Sequence, residues 1–257
     1  RSLLPILTVR EAEGVEGGLG SGREVLTLGP LLGEGGMGRV FAATQRSLER
    51  TVALKVVDDG DEDAQAALLR EARIAGRLEH PNIVPIHLLG LDAKGSPVLV
   101  MKRVEGVSLA ALLRDDEHPD WPRLRARHGD RLGVLVEVTL RVCDALELAH
   151  ARGVVHRDVK PDNVMVGPFG EVYLLDWGVA LDTSRGGGDG ALVGTPAFMA
   201  PEMIDRTLGA PSPATDVYLL GATLSAALTG APPHVGESLQ DVLRAAFLAE
   251  SPRGLAG

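Results

Sequence analysis

The segment "VVHRDVKPDNVMV", residues 154–166, sets a carboxylate (Asp158), an ammonium (Lys160) and an amide oxygen (Asn163) close together between short apolar runs. The run "EVYLLDWGVA" follows and brings a second carboxylate, Asp176, two residues before Gly178. Phosphoryl transfer asks little covalent chemistry of a protein. It needs a group to position a hydroxyl, cations along the developing charge, and oxygen ligands for Mg2+. Asp158, Lys160, Asn163 and Asp176 make up such a set. An isolated His-Arg-Asp or a lone strand lysine is more often structural than catalytic, so the surrounding elements must decide.

Upstream, "LGPLLGEGGMGRVFAATQ" (28–45) contains Gly33-x-Gly35-x-x-Gly38. That spacing fits a dinucleotide-binding turn, a lid over a nucleotide's phosphates, or an ordinary bend. In the first case the glycines open a helix whose N-terminus holds the pyrophosphate. Here "RVFAATQ" follows, without a cap or a helical stripe, and then "RTVALKVV" (50–57), rich in β-branched and aliphatic residues. Strand, glycine turn, strand, strand is an antiparallel meander. An acidic start followed by Ala, Leu and Arg predicts a helix of about four turns before Pro81. Two more strands are expected, near "IVPIHLLGL" and at 97–104.

From Ser108 helices dominate, a short one over "SLAALLRDD" and a long one over "LGVLVEVTLRVCDALELAHARG" capped by Gly153. Between them "DEHPDWPRLRARHGD" reads as a charged, Pro-containing loop without evident purpose. Residues 1–24, glycine-rich and aperiodic, read as an N-terminal extension or linker. A small β unit (25–104) ahead of a larger helical one (105–257) is an α+β order.

Composition narrows the class. A net charge of −9 argues against a general nucleic-acid binder. One cysteine, Cys143, excludes an internal disulfide framework, suits a reducing cytoplasm, and is expected to fill core space. No apolar run approaches the ~20 residues that span a bilayer. With no secretory leader and Arg1 at its start, the chain reads as a piece of something longer. Only 4 of its 26 basic residues are lysines, and two of them, Lys55 and Lys160, fall inside the candidate motifs. A compact point charge suits a phosphate there.

Residues 24 to 235 resemble the eukaryotic-type Ser/Thr protein kinases, especially their bacterial branch. The resemblance rests on "GEGGMGRV", "VALKVV", "REARI" with "HPNIV", "HRDVKPDN", "DWG", "GTPAFMAPE" and "DVYLLGATL", in the family's order. It implies a bilobal fold, ATP with Mg2+ (or Mn2+ in its place), and protein substrates with Ser or Thr acceptors.

By the same resemblance the glycines form the ATP lid, with Gly33, Glu34, Gly35, Gly36 and Gly38 over the phosphates. Val40, Ala53 and Met165 would sandwich adenine. Met101 would guard the back of the pocket, and the backbone of Lys102 and Val104 would read the base. Lys55 would contact the α/β-phosphates and pair with Glu71. Asp158 would orient the substrate hydroxyl, Lys160 neutralise the γ-phosphate, and Asn163 and Asp176 hold the metal. Thr195 would hydrogen-bond near Asp158 and Lys160, and Asp216 would hold the catalytic loop by its backbone. His156 reads as a packing residue, because Asp158 fills the polar role. A pseudokinase scaffold, which binds nucleotide without turnover, is the alternative. It is disfavoured because Lys55, Glu71, Asp158, Lys160, Asn163 and Asp176 are all present. A small-molecule kinase is disfavoured by "GTPAFMAPE".

Three departures from the family stand out. Trp177 replaces the usual Phe, and Ala75 replaces a common Leu one turn after Glu71, which reads as a volume exchange. The segment "ALDTSRGGGDGALVGT" offers Thr183 and Ser184 early and then mostly glycine. Asp189 is placed either to meet Arg157 as a permanent partial substitute for phosphate or to lie in a flexible solvent loop. Finally, Glu202 of "APE" lacks the arginine the family supplies from a later helix, and a buried unpaired charge would be costly. The expectation is that the helical unit is truncated, its C-terminal helices missing, or that another group compensates.

Overall fold

A computed structural model describes residue 4 and residues 7–10, 25–35, 38–185 and 192–249. The chain divides into two compact units, one of residues 1–79 and 84–104, the other of residues 80–83 and 105–257.

The described residues of the first unit form a six-stranded sheet and one helix. The strands are β1 (Thr8–Arg10), β2 (Val25–Gly35), β3 (Gly38–Gln45), β4 (Arg50–Val56), β5 (Ile86–Leu91) and β6 (Pro97–Lys102), in the order β1-β2-β3-β4-β6-β5. All neighbours are antiparallel except β1 and β2. One face buries Leu26, Ala43, Val52, Leu54, Val98 and Val100. The alternation of β4 puts Ala53 and Lys55 on the other face. That face is covered by α1 (Glu62–Ala75), whose Leu68 and Ala72 pack on Leu99. Asp61 caps α1, its side chain accepting from the Ala64 N–H, and Gly76 ends it.

The composition-based reading of residues 1–24 as a mere extension needs correcting at Leu7–Arg10. Leu7 is fully buried in the sheet's core, and its N–H donates to the carbonyl of Leu91 at 2.7 Å. The residues alternate apolar and polar, which is the pattern of a half-buried strand.

The described residues of the second unit are mainly helical: α2 (Leu109–Arg114), α3 (Trp121–His128), α4 (Arg131–Ala151), α5 (Pro201–Ile204), α6 (Pro213–Thr229) and α7 (Leu239–Phe247). Short strands β7 (Val107–Ser108), β8 (Val154–Val155), β9 (Val164–Val166), β10 (Val172–Leu174) and β11 (Leu181–Asp182) carry the loops between them. The apolar face of α4 packs against α6, β8 and β10. Asn82 joins this unit, donating its amide to Val172 O and accepting from Leu174 N–H, both at 2.8 Å. This gives the "HPNIV" run its structural role.

Two expectations fail here. The stretch without evident purpose holds α3, because Trp121 is buried, donates its indole N–H to the carbonyls of Leu112 and Asp115, and is flanked by the guanidinium groups of Arg125 and Arg131. A buried aromatic with its polar tip satisfied is a strong anchor. Cys143 does not fill the core. It lies on the exposed side of α4, while its neighbour Val142 points inward.

Candidate active site

In the first unit the ladder register assembles the candidates. Val40 sits opposite Lys55, and Ala53 opposite Met101, so all four share one sheet face. The Lys55 ammonium meets the Glu71 carboxylate at 2.7 Å, both side chains 8% exposed. Pairs so far out of water are costly to break, although they add little net stability when intact. Lys102 ends β6 and donates its N–H to Pro85 O at 2.9 Å, and Val104 follows just beyond the strand.

The glycines differ from one another. Gly38 has φ +110°, and a Cβ there would lie 2.3 Å from Val56 O, so the fold itself demands glycine. At Gly33 and Gly35 a Cβ would meet nothing within 4 Å. The chain's own packing gives no reason for glycine at either place. Glu34 pairs with Arg39 across the ladder, and Gly36 lies outside the described residues.

In the second unit the candidates sit on an irregular loop after β8, pinned from α6. Asp216, with no exposed surface, accepts the backbone N–H of His156 at 2.8 Å and of Arg157 at 2.9 Å. His150 at the end of α4 donates Nε2–H to the same carboxylate at 2.7 Å. These bonds hold Arg157 in the left-handed region, φ +67°, where a side chain is strained. Thr223, two turns after Asp216 on α6, donates its hydroxyl to Val159 O at 3.1 Å. His156 accepts the Asp158 N–H on Nδ1 at 3.2 Å, and its Nε2 lies 2.9 Å from Leu175 O.

On this frame Asp158 is the hub. Its Oδ1 accepts the Thr195 hydroxyl at 2.8 Å, and its Oδ2 accepts Lys160 Nζ at 2.8 Å and Asn163 Nδ2 at 2.9 Å. Lys160 also reaches Thr195 Oγ1 at 2.5 Å, and Asn163 donates to the Asp158 carbonyl at 2.8 Å. A carboxylate offers about four acceptor positions. Three are engaged, and the one left over is on Oδ1. Asp176 stands at φ +59°, with its Oδ1 accepting the Gly178 N–H at 3.3 Å. Met165 lies half-buried on β9, opposite Ser108 and Tyr173. Asp158 therefore gathers Lys160, Thr195 and Asn163 around its carboxylate, and in the first unit Lys55 meets Glu71.

The family pattern described as "Protein kinase domain" matches residues 26–250. The chain belongs to the protein kinase domain family. Among curated relatives it is similar to the serine/threonine-protein kinase PknK of Mycobacterium tuberculosis, 41% identical over 77% of this chain and 17% of that protein. PknD of the same organism is 38% identical over 87% of this chain and 32% of its own length. PknE of Mycobacterium bovis is 37% identical over 86% and 38%. The chain thus spans well under half the length of these relatives. As a kinase domain it has the family's α+β architecture and implies use of a nucleoside triphosphate with a divalent metal. Among the described residues no helix is long and apolar enough to cross a membrane.

Within this kinase domain the departures resolve unevenly. Glu202 has a partner after all: the buried Thr215 hydroxyl donates to it at 2.6 Å, while the Thr215 oxygen itself accepts the Ser212 N–H. Glu202 is only partly buried, which removes much of the expected cost of an unpaired charge. Nearby, burial and the Glu202 charge push the Tyr218 phenol up from its ordinary value. Trp177 is buried with its ring centroid 4.6 Å from that of His156 in an edge-on arrangement, and its indole N–H has no acceptor among the described residues. Ala75 is likewise buried, in the first unit. Thr183 donates its hydroxyl to Gly153 O, and Ser184 to Asp182. Asp189 lies outside the described residues, and Arg157 Nε donates to Val179 O at 2.7 Å. Sequence reading missed His150 and Thr223. The second carried a faint signal, seven residues from Asp216 on one helix face.

Proposed function

We propose that this chain is an ATP-dependent protein serine/threonine kinase that transfers the γ-phosphoryl group to Ser or Thr of protein substrates in bacterial signalling. One observation carries the reading: the Asp158 carboxylate is fixed by Lys160, Thr195 and Asn163 with one acceptor position to spare. That position accepts the proton of the incoming hydroxyl as its oxygen attacks phosphorus, and the bond to the leaving ADP oxygen breaks. Lys160 neutralises charge gathering on the transferred group, and Thr195 orients both. Lys55, itself held by Glu71, binds the α/β-phosphates.

Asn163 uses its amide nitrogen on Asp158, which leaves its oxygen as the ligand atom. With the Asp176 carboxylate it forms a hard-oxygen pair suited to Mg2+ or Mn2+. Among the described residues no group of three or more His, Cys, Asp or Glu could hold an ion by itself, which fits a metal shared with substrate phosphates. A divalent metal held by Asn163 and Asp176 would supply positive charge to offset the negative charge of the substrate phosphates. Gly33 and Gly35, which packing leaves unexplained, allow the backbone to approach those phosphates closely. Val40, Ala53, Met101, Met165 and the backbone of Lys102 and Val104 take the adenine. The need for ATP puts the domain in the cytoplasm.

The test is incubation of the full chain with labelled ATP, Mg2+ and a generic acceptor protein, alongside Asp176→Ala. Label on serine or threonine with the parent alone is expected. ATP binding without transfer by the parent would leave a pseudokinase scaffold instead.

A further inference from the structure

We propose that Leu7–Arg10 is a detachable strap that sets the root of the phosphate lid, and that the gap between the β2 and β5 edges is its docking groove. Strand β1 lies ahead of residue 26, where the family match begins, so this contact is an addition to the kinase domain. It pairs in parallel with Val25, Leu26 and Thr27, the first three residues of β2. A parallel pair needs a connection of about a dozen residues or more, and residues 11–24 supply it.

The position on β2 is what matters. Strand β2 runs unbroken from Val25 to Gly35, and its far end is the glycine lid. Its first three residues are flanked by β1 on one side, with β3 pairing Leu26 and Thr27 on the other. From Leu28 onward β3 is the neighbour, and the register shifts twice before Gly33. Gly29 to Gly35 are exposed throughout. The lid is therefore the end of a lightly held ribbon, secured at the root that the strap reinforces.

The strap also reaches the opposite edge. Leu7 seats its side chain with Leu26, Val52, Leu54, Val98 and Val100, and its N–H bonds Leu91 O at the end of β5. Among the described residues the buried Leu7, the half-buried Val9, the Leu7–Leu91 bond and a three-residue ladder hold it, a small set of contacts that fits an element opening locally before the fold does. Undocking then loosens the β2 root and weakens nucleotide binding without touching a group in the reaction. The groove's occupant is this chain's own segment, an extended strand with leucine and valine at alternate positions.

The test uses the full chain with Leu7→Asp, with Leu7→Ala as the milder variant should the first not fold. Amide exchange at Val25–Thr27 and Leu91 is expected to accelerate by about tenfold or more, with α4 and α6 unchanged. A synthetic peptide of residues 4–12 should bind the Leu7→Asp chain and restore slow exchange, and the same peptide carrying the Asp substitution should not. Unchanged exchange, or no peptide binding, overturns the strap. The lid coupling rests on the ATP reading and has its own readout. The KM for ATP should rise about three- to tenfold at nearly constant kcat, and fall again with peptide. Restored exchange with an unmoved KM overturns the coupling. A parent that binds no ATP would instead sink the proposed function and leave the strap standing.

Discussion

The two groups of candidate residues are built on opposite plans. Lys55 and Glu71 project from a strand and a helix of ordinary geometry, and one ion pair joins them. Asp158, Lys160 and Asn163 sit on a loop with a left-handed Arg157, and a buried carboxylate on α6 grips the backbone itself. In the first unit regular hydrogen-bond ladders do the positioning, so the charged side chains are passengers. In the second, polar side chains hold the backbone in place, so the loop exists only as long as its network does. Losing a charge should therefore have a different consequence in each.

The largest effect is expected from Asp158→Asn, which keeps the hub's shape and removes the proton acceptor. Phosphoryl transfer should fall by about 10²- to 10⁴-fold, with ATP affinity nearly unchanged by calorimetry. Full turnover would remove Asp158 from the reaction. Asp216→Ala comes next, because it orphans two backbone N–H groups and a histidine at once. Chemical denaturation should show a loss of about 3–5 kcal/mol, with activity lost in parallel.

Lys55→Met should destabilise to a similar degree by taking the ammonium away from the buried Glu71 carboxylate, yet Lys55→Met with Glu71→Leu should recover to within about 1–2 kcal/mol of the parent. That rescue sharpens the contrast, because no neutral partner can replace what Asp216 does for a backbone. If the double variant stayed as unstable as the single one, the first unit would not be the more forgiving of the two.

The smallest effect concerns His87 on β5, whose imidazole is pushed below its ordinary value by burial and by the charges of Arg50 and Lys102. The folded state thus binds fewer protons there than the unfolded chain. Stability is full above pH 6.5 and declines as the pH falls from there towards the lowered value. His87→Gln should flatten that acid limb in melting temperatures measured between about pH 5 and 7, modestly, since solvent still reaches the ring.

The same contrast explains what could be read from the residues alone. The β3–β4 meander and the seat of Lys55 were legible because alternation and turn chemistry are local. Asp158, Lys160 and Asn163 were legible as a motif, whereas Thr195, 35 residues beyond Lys160, could be placed beside them only through the family resemblance. Strand β1 was hidden by glycine-rich sequence following it, although Leu7 to Arg10 already alternates. Helix α3 was hidden by charge: one buried tryptophan outweighs the arginines and aspartates around it. The partner of Glu202 was missed because the reading looked for a cation, and a buried hydroxyl took the place instead.

One ring in the loop has both of its nitrogens committed to the backbone. A backbone N–H can only give a hydrogen and a backbone carbonyl can only take one. His156 Nδ1 must therefore carry the lone pair that receives the Asp158 amide, and Nε2 the proton directed at Leu175. Neither nitrogen has anything left to offer an incoming alcohol. Under the proposed function, the aspartate is then the residue of this His-Arg-Asp run that takes the proton.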